Sequence, residues 1–331
     1  MIRPLETTLV AQLTGRESGN RTAERFGIHG TDLGIMWDDG TGRVFVVFGD
    51  TYGPGWRGHG AGTDDPNDWR CNAIAVSRDR NLDAGLRLDA VLATGRDGVA
   101  GQILERDRTQ RKEETVIPTS GIAVAGLHYL HYMSVRKWGG QGEWITNYAG
   151  IAVSPDAESW TKPPHARWPN RRRADHPFQM AAFARDAEHV HLLGTPNGRW
   201  GSASLARVST LDILDPDAYE YWTGQTWRRA EPFAATPVLP GPVGELSVIY
   251  NVYFGQWLAL HLDEARAAIV LRTADKLTGP WTDGQVVAAG RDYPGLYGGF
   301  LHPESANGPV LYYAMSQWAP YNVYLMRTTL A

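Results

Sequence analysis

Ala73-Ile-Ala-Val-Ser77, with Asp79 close behind, returns along the chain as Gly150-Ile-Ala-Val-Ser154 with Asp156, Ser204-Leu-Ala-Arg-Val-Ser209 with Asp212, Ile269-Val-Leu-Arg-Thr273 with Asp275, and Val323-Tyr-Leu-Met-Arg-Thr328. Successive copies lie about 55 to 77 residues apart, a propeller-blade spacing once long loops are allowed. Two further strand-like runs precede each copy. The middle ones are 43–48, 127–133, 189–193, 256–262 and 309–315; the first ones are 31–37, 120–124, 178–183, 245–250 and 298–302. Rich in Val, Tyr, Phe and Leu and bounded by Gly, Asp or Pro, they read as strands. Three strands thus recur five times, and the segment 7–13 is left over to pair with the last blade and close the ring, which protects the sheet edge. The expected fold is all-β: a five-bladed β-propeller closed by an N-terminal strand, one domain over residues 1–331. A β-sandwich predicts no such repeated three-strand unit, and no long amphipathic helix or Pro/Ser linker divides the chain.

Composition agrees with that architecture. The chain of 331 residues carries 37 Gly, 20 Pro, 13 Trp and 14 Tyr, a turn-rich and aromatic-rich balance that suits strands and stacking surfaces. Its net charge of -4 repels a nucleic-acid backbone, so no nucleic-acid partner is expected. The one dense basic run, Arg171, Arg172 and Arg173 beside Pro169 and Pro177, reads as a solvated loop. Cys71, the single cysteine, has no partner for an internal disulfide. No apolar run reaches the roughly 20 residues of a membrane span, and Met1-Ile2-Arg3-Pro4 is not followed by the apolar core of a secretory signal.

Antiparallel neighbours place the start of strand one, the end of strand two and the start of strand three of every blade on one rim. His29, Asp32, Asp50, Thr51, Tyr52, Arg70 and Asn72 are expected there from blade one, and Thr119, Ser120, Arg136, Trp138, Asn147 and Tyr148 from blade two. Blade three adds Gln179 and Asn197, blade four Glu245, Asp263 and Glu264, and blade five Tyr297, Gln317, Trp318, Tyr321 and Asn322. Long loops are expected at 53–69 and 137–146, carrying Trp56, Trp69, Trp138 and Trp144. Aromatic faces beside carboxylates and amides suit a sugar, whose C–H faces stack while its hydroxyls bond. The opposite rim receives the tight turns at Asp38-Asp39-Gly40, Ala125-Gly126 and Phe254-Gly255.

Cleavage of a glycosidic bond needs two carboxyl groups, one protonated and one ionised. Asp32, in Gly30-Thr31-Asp32-Leu33-Gly34, and Asp50, in Phe48-Gly49-Asp50-Thr51-Tyr52, hold suitable positions; Glu245, in Gly244-Glu245-Leu246-Ser247, occupies in blade four the place of Asp32 in blade one. Asp50 follows an apolar strand, so burial is expected to raise its pKa and make it the acid, with Asp32 the ionised partner. His128 with His131, and His189 with His191, read as strand histidines without a third ligand, so no metal site is expected. Gly58, Gly60 and Gly62 do not open a helix after a strand and are no dinucleotide fingerprint. Ser154-Pro155-Asp156 through Trp160 is similar to a shortened Asp-box turn, and Asn20-Arg21-Thr22 is a glycosylation sequon only in an exporting host.

The chain resembles a family of actinobacterial and phage proteins first described as a domain of unknown function and associated with endo-D-arabinanases. The resemblance runs over nearly the whole chain, through Gly30–Gly34, Phe48–Thr51, Ile117-Pro118-Thr119-Ser120-Gly121, Tyr129–Ser134 continuing to Trp138, Thr146–Gly150, Gly244–Ser247 with Tyr250-Asn251, and Leu277-Thr278-Gly279-Pro280-Trp281. It implies a five-bladed propeller that cuts internal linkages of D-arabinan in arabinogalactan or lipoarabinomannan. Asp32 and Asp50 match the family's aspartates, with Glu245 carried over as a third catalytic group. His29, Thr51, Arg136, Trp138, Asn147, Tyr148, Gln179, Tyr250, Tyr297, Gln317, Trp318 and Tyr321 are the expected substrate contacts. No cofactor is required, a structural cation in the central channel is left open because the sequence does not read on it, and a monomer is expected. Such an activity directs the protein to the cell wall or outside the cell, so the missing signal points to a trimmed chain, phage delivery or a cytoplasmic location. The other reading is a propeller that grips arabinan without cutting it, as a phage tail or surface adhesin, which needs only the aromatics and amides.

Overall fold

The computed structural model describes residues 2–95, 98–107, 112–171 and 175–331; of the basic run, Arg172 and Arg173 lie outside them. The chain forms the expected five small antiparallel sheets in sequence order around an axis. Blade one is Leu33–Asp38, Val44–Phe48, Ala73–Ser77 and Ala90–Val91; blade two is Thr115–Val124, Leu127–Trp138, Trp144–Ser154 and Arg167–Pro169. Blade three begins Met180–Arg185, His189–Thr195 and Ala203–Ser209, then carries Glu220–Trp222 and Trp227–Arg229, with Pro237–Leu239 paired to its third strand. Blade four is Leu246–Asn251, Gln256–Asp263, Ala268–Ala274 and Gln285–Ala289. Blade five is Leu296–Leu301, Val310–Gln317 and Asn322–Leu330, completed by the N-terminal strand Pro4–Gln12. That strand runs antiparallel to the last one, from Pro4 opposite Leu330 to Gln12 opposite Tyr324, so the ring closes as expected, three residues earlier than the apolar pattern suggested.

Two expectations change. Every blade has a fourth, outer strand; most are only two to five residues long, so they carry no period-2 signal. Half of the segment 137–146 is strand, because the hairpin of blade two extends to Trp138 and resumes at Trp144, leaving a turn of five residues. The first strand of this blade likewise begins at Thr115, so Thr119 and Ser120 lie mid-strand instead of on the rim: Thr119 Oγ1 bonds the carbonyl of Ala181, and Ser120 Oγ accepts from the amide of Phe183.

Side chains from both faces of the inner and middle strands are buried, among them Phe45, Phe48, Leu130, Leu192, Leu258 and Leu325, each almost fully removed from water. Blades are wedged together by aromatics. Trp37 of blade one lies so close to Gly121 of blade two that a Cβ there would sit 2.1 Å from its ring, and its Nε1 donates to His128 Nδ1 at 3.2 Å. The hairpin Ala125-Gly126 takes left-handed φ values of 52° and 81°, the geometry of a two-residue hairpin turn.

Candidate active site

The loop ahead of blade one and the end of its second strand bring two carboxyl groups side by side. Asp32 immediately precedes the strand Leu33–Asp38, whose pairing is broken by a bulge between Leu33 and Ile35. Leu33 has φ 71° and Gly34 φ 85°. A left-handed leucine costs about 1–2 kcal/mol, and it is held there by its amide donating to Ser316 Oγ of blade five at 2.9 Å. The bulge turns Asp32 onto Gly49: a Cβ at that glycine would stand 2.3 Å from Asp32 Oδ1. Gly49 is also the residue before Asp50, so the Phe48-Gly49-Asp50 sequence is what lets the two carboxyls approach.

Both aspartates are half-buried, with a face open at the rim. Asp32 Oδ2 accepts from the Tyr297 hydroxyl at 2.9 Å. Asp50 Oδ1 accepts from Trp69 Nε1 at 2.9 Å and from Thr115 Oγ1 at 2.8 Å, while Arg106 lies over the Trp69 ring at 4.8 Å. Burial first, and then the charge of Asp50, raise the Asp32 carboxyl to about 8, against hydrogen bonding from the Tyr297 and Tyr321 hydroxyls; Glu245 adds a further upward push. Burial also raises Asp50, but only to about 6, because Thr115, Trp69 and Arg106 favour its charged form. The hydrogen-bond donors that stabilise charge converge on Asp50 more than on Asp32, opposite to the roles expected from the sequence.

Glu245 sits one residue before the inner strand of blade four, and Arg199 of blade three holds it. The guanidinium donates to Glu245 Oε1 from Nε at 3.0 Å and from Nη2 at 2.7 Å, and reaches Glu264 Oε2 at 3.5 Å. Arg199 also lies 5.0 Å over the Tyr297 ring, so the residue that bonds Asp32 is backed by the cation that pairs Glu245. Glu245 Oε2 is buried with no hydrogen-bond partner.

The remaining expected contacts divide. Tyr297 and Tyr321 enclose Asp32; Tyr321 packs 5.7 Å from both Tyr52 and Trp318, and Trp318 is half exposed at the mouth. The loop 53–68 leans over from blade one, with the Gly60 amide donating to the Ala319 carbonyl at 3.0 Å. His29 is half-buried beside it, its amide bonded to the Tyr52 carbonyl, and burial lowers its pKa. Arg136 and Trp138 stand at the rim end of the blade-two hairpin, Asn147 donates to Ser134 Oγ at 3.1 Å, and Gln317 donates to the Pro294 carbonyl at 3.2 Å.

Four expected contacts are turned to other work. Thr51 is fully buried and bonds Thr31 Oγ1 at 2.7 Å. Gln179 is fully buried, its amide shared between the carbonyls of Trp168 and Phe178. Tyr148 is buried beneath Arg167, 4.3 Å away, and edge-on to Tyr132. Tyr250 lies at the far end of the strand that starts after Glu245, lining a funnel of about 370 Å³ on the opposite rim with Trp37 and Arg185. Five residues of extended chain put it about 16 Å from Glu245.

Among the described residues no three His, Cys, Asp or Glu side chains converge on a common point. The axial cavity, about 30 Å³, is walled by Leu33, Ile117, Met133, Leu246 and Phe300, with Glu245 its only carboxylate. Thr119 and Thr195 add hydroxyl oxygens to that lining, and the Thr195 hydroxyl and Glu245 Oε2 are buried without a hydrogen-bond partner.

The chain belongs to the family described as a domain of unknown function, DUF4185, whose model matches residues 17–327. It is 33% identical over 319 residues to notoamide biosynthesis cluster protein J' of Aspergillus versicolor, covering 92% of this chain and 83% of that protein. Among solved structures it is similar to a family 117 glycoside hydrolase from Zobellia galactanivorans, with a TM-score of 0.55 at 13% identity over 98% of this chain and 90% of that one. It is also similar to the catalytic domain of a GH62 α-L-arabinofuranosidase from Coprinopsis cinerea, with a TM-score of 0.52 at 14% identity over 99% and 98% of the two chains. At these identities the shared property is the five-bladed fold.

Proposed function

We propose that the protein is a glycoside hydrolase acting on internal α-D-arabinofuranosyl linkages of an arabinogalactan- or lipoarabinomannan-type D-arabinan. One observation carries the reading: two half-buried carboxyl groups share a rim, Asp50 Oδ1 accepting from both Trp69 and Thr115 while Asp32 Oδ2 accepts from Tyr297, and burial raises the pKa of both. In this reading the charge sits on Asp50, which has more donors, and the proton on Asp32, the division of labour that glycosidic cleavage requires. In this reading Asp32 protonates the leaving oxygen and Asp50 acts as the anion at the anomeric carbon. Glu245, tied to Arg199, holds negative potential behind Asp32 and so keeps its proton in place.

Support for a polysaccharide ligand is chemical. Trp318 at one edge of the carboxyl pair and Trp138 on blade two, each about half exposed at 51% and 47%, offer stacking faces on different sides, which suits a groove open at both ends. The relative from Aspergillus versicolor is named for a biosynthetic cluster and its name states no reaction, so the choice of D-arabinan rests on the sequence resemblance.

Incubating the protein with D-arabinan and following new reducing ends tests the proposal. Mixed oligosaccharides are expected among the first products. Monosaccharide alone from the first minutes overturns the internal cut, and binding with no new reducing ends leaves a carbohydrate-gripping propeller.

A further inference from the structure

Away from the carboxyl pair, on the same rim, blades two and three enclose a groove of about 410 Å³. Trp138, Trp144 and Trp200 form its walls, with Lys137, Glu143 and Asn197 at its edges. Trp138 and Trp200 are 47% and 50% exposed, two large rings left half in water in a chain with ample core to bury them. Trp200 follows Arg199 after the turn Pro196-Asn197-Gly198, and no strand pattern in the sequence marks it.

The groove is built before any ligand arrives. Trp138 and Trp144 meet edge-to-face across their hairpin, centroids 5.9 Å apart. The Arg199 amide donates to the Gly142 carbonyl at 2.9 Å, and a Cβ on Gly198 would stand 2.6 Å from that same oxygen, so two loops from different blades are locked together. Trp200 Nε1 donates to the Gln141 carbonyl at 3.4 Å. Asn197 Oδ1 accepts from the Thr146 amide at 3.0 Å and from Asn170 Nδ2 at 2.6 Å. Groups fixed in this way lose little entropy on binding.

Arg199 links the wall of the groove to Glu245, behind the carboxyl pair. Arg199 lies 5.8 Å over the Trp144 ring on one side and pairs Glu245 at 2.7 Å on the other. The edges of the groove carry one cation, one anion and one amide, no net charge, which favours a neutral ligand with flat apolar faces and hydroxyls over an anionic chain.

We infer that this groove is a distal subsite in which furanose units of the polysaccharide, beyond those at the carboxyl pair, stack on Trp200 and Trp138. The inference rests on the glycoside-hydrolase reading for its choice of ligand.

The test combines affinity electrophoresis and calorimetry on soluble D-arabinan with kcat/KM for D-arabinofuranosyl oligosaccharides of increasing length. Wild type is compared with Trp200→Ala, Trp138→Ala and the conservative Trp200→Phe, each verified as folded by its melting curve. Loss of a stacking ring is expected to weaken D-arabinan binding about tenfold, to lower the long-over-short ratio of kcat/KM by a similar factor, and to be largely rescued by Phe. Binding and length preference within about twofold of wild type in both Ala variants would overturn the subsite while leaving the hydrolase reading standing. Binding that depends on Trp200 with no new reducing ends keeps the groove and removes the hydrolase. A wild-type protein that neither binds nor cuts D-arabinan refutes both.

Discussion

Replacing Asp32 with Asn should make the protein inactive and more stable at neutral pH, with a benefit that depends on pH in a defined direction. In the folded chain the Asp32 carboxyl titrates near 8, against an ordinary value of 3.8. A group whose folded pKa is raised binds its proton more tightly in the native state, so its contribution is fully favourable below the unfolded pKa and declines as pH rises toward the folded one. The window is therefore about pH 4 to 8. At pH 7 the unfolded chain gains by ionising Asp32 while the native chain must keep it protonated, a cost of at most about 4 kcal/mol at about 1.4 kcal/mol per pH unit. The carboxyl keeps an open face at the rim, and solvent there brings the figure to about 2–4 kcal/mol. Asparagine removes that cost and still offers an oxygen to the Tyr297 hydroxyl. For a domain of this size the gain corresponds to roughly 3–6 °C in Tm at pH 7, shrinking to under about 2 °C near pH 4, measured by calorimetry across that range. Turnover on D-arabinan should fall by at least about two orders of magnitude. An Asp32→Asn variant that melts at or below wild type at pH 7, or whose advantage grows toward pH 4, refutes the assignment of the proton to Asp32.

Tyr297→Phe removes the hydroxyl that bonds Asp32 Oδ2, so the Asp32 charge loses a donor and the alkaline limb of the kcat/KM profile should move up by about one pH unit; an unmoved limb would detach Asp32 from that titration. Arg199→Ala leaves Glu245 and Glu264 buried without their shared cation, and urea unfolding should show a loss of about 3–5 kcal/mol, part of it recovered by Arg199→Lys. Because furanose units are uncharged, binding of D-arabinan should change less than about twofold between roughly 0.05 and 0.5 M NaCl; a collapse in moderate salt would show that a charged ligand is the real one.

The sequence was most informative where physics writes a repeated pattern. Middle strands are buried on both faces, so Val44–Phe48 and Ala73–Ser77 are continuous apolar runs and recur five times. Outer strands such as Ala90–Val91 and Arg167–Pro169 are too short and too polar to register. Rim assignments hold where the strand start is read correctly, as at Asp32, and slip where it is not. Pro118 reads as a boundary, yet the strand runs through it across a bulge, which hides Thr115, a donor to Asp50. Gln179 and Thr51 occupy the expected ends but are consumed by internal hydrogen bonds, which periodicity does not encode. Arg199 was invisible because its partners lie 46 and 65 residues away, a pairing only the closed ring creates.

The carboxyl pair and the closure of the ring share one set of contacts. Tyr321, beside Asp32, holds φ 45°, and Leu33, next to Asp32, holds φ 71°; the Tyr321 carbonyl accepts from the Thr31 amide at 2.8 Å. The next residue, Asn322, is fixed by the chain leaving the N-terminal strand: Thr14 Oγ1 donates to Asn322 Oδ1 at 2.9 Å, and the Val323 amide donates to Thr14 Oγ1 at 2.9 Å. Two left-handed non-glycine residues persist only where surrounding structure over-determines them, and here that structure is the seam between the first and last blades. The N-terminal segment thus does more than protect a sheet edge: through Thr14 it fixes Asn322 and Val323, the residues next to Tyr321, at the mouth beside Asp32.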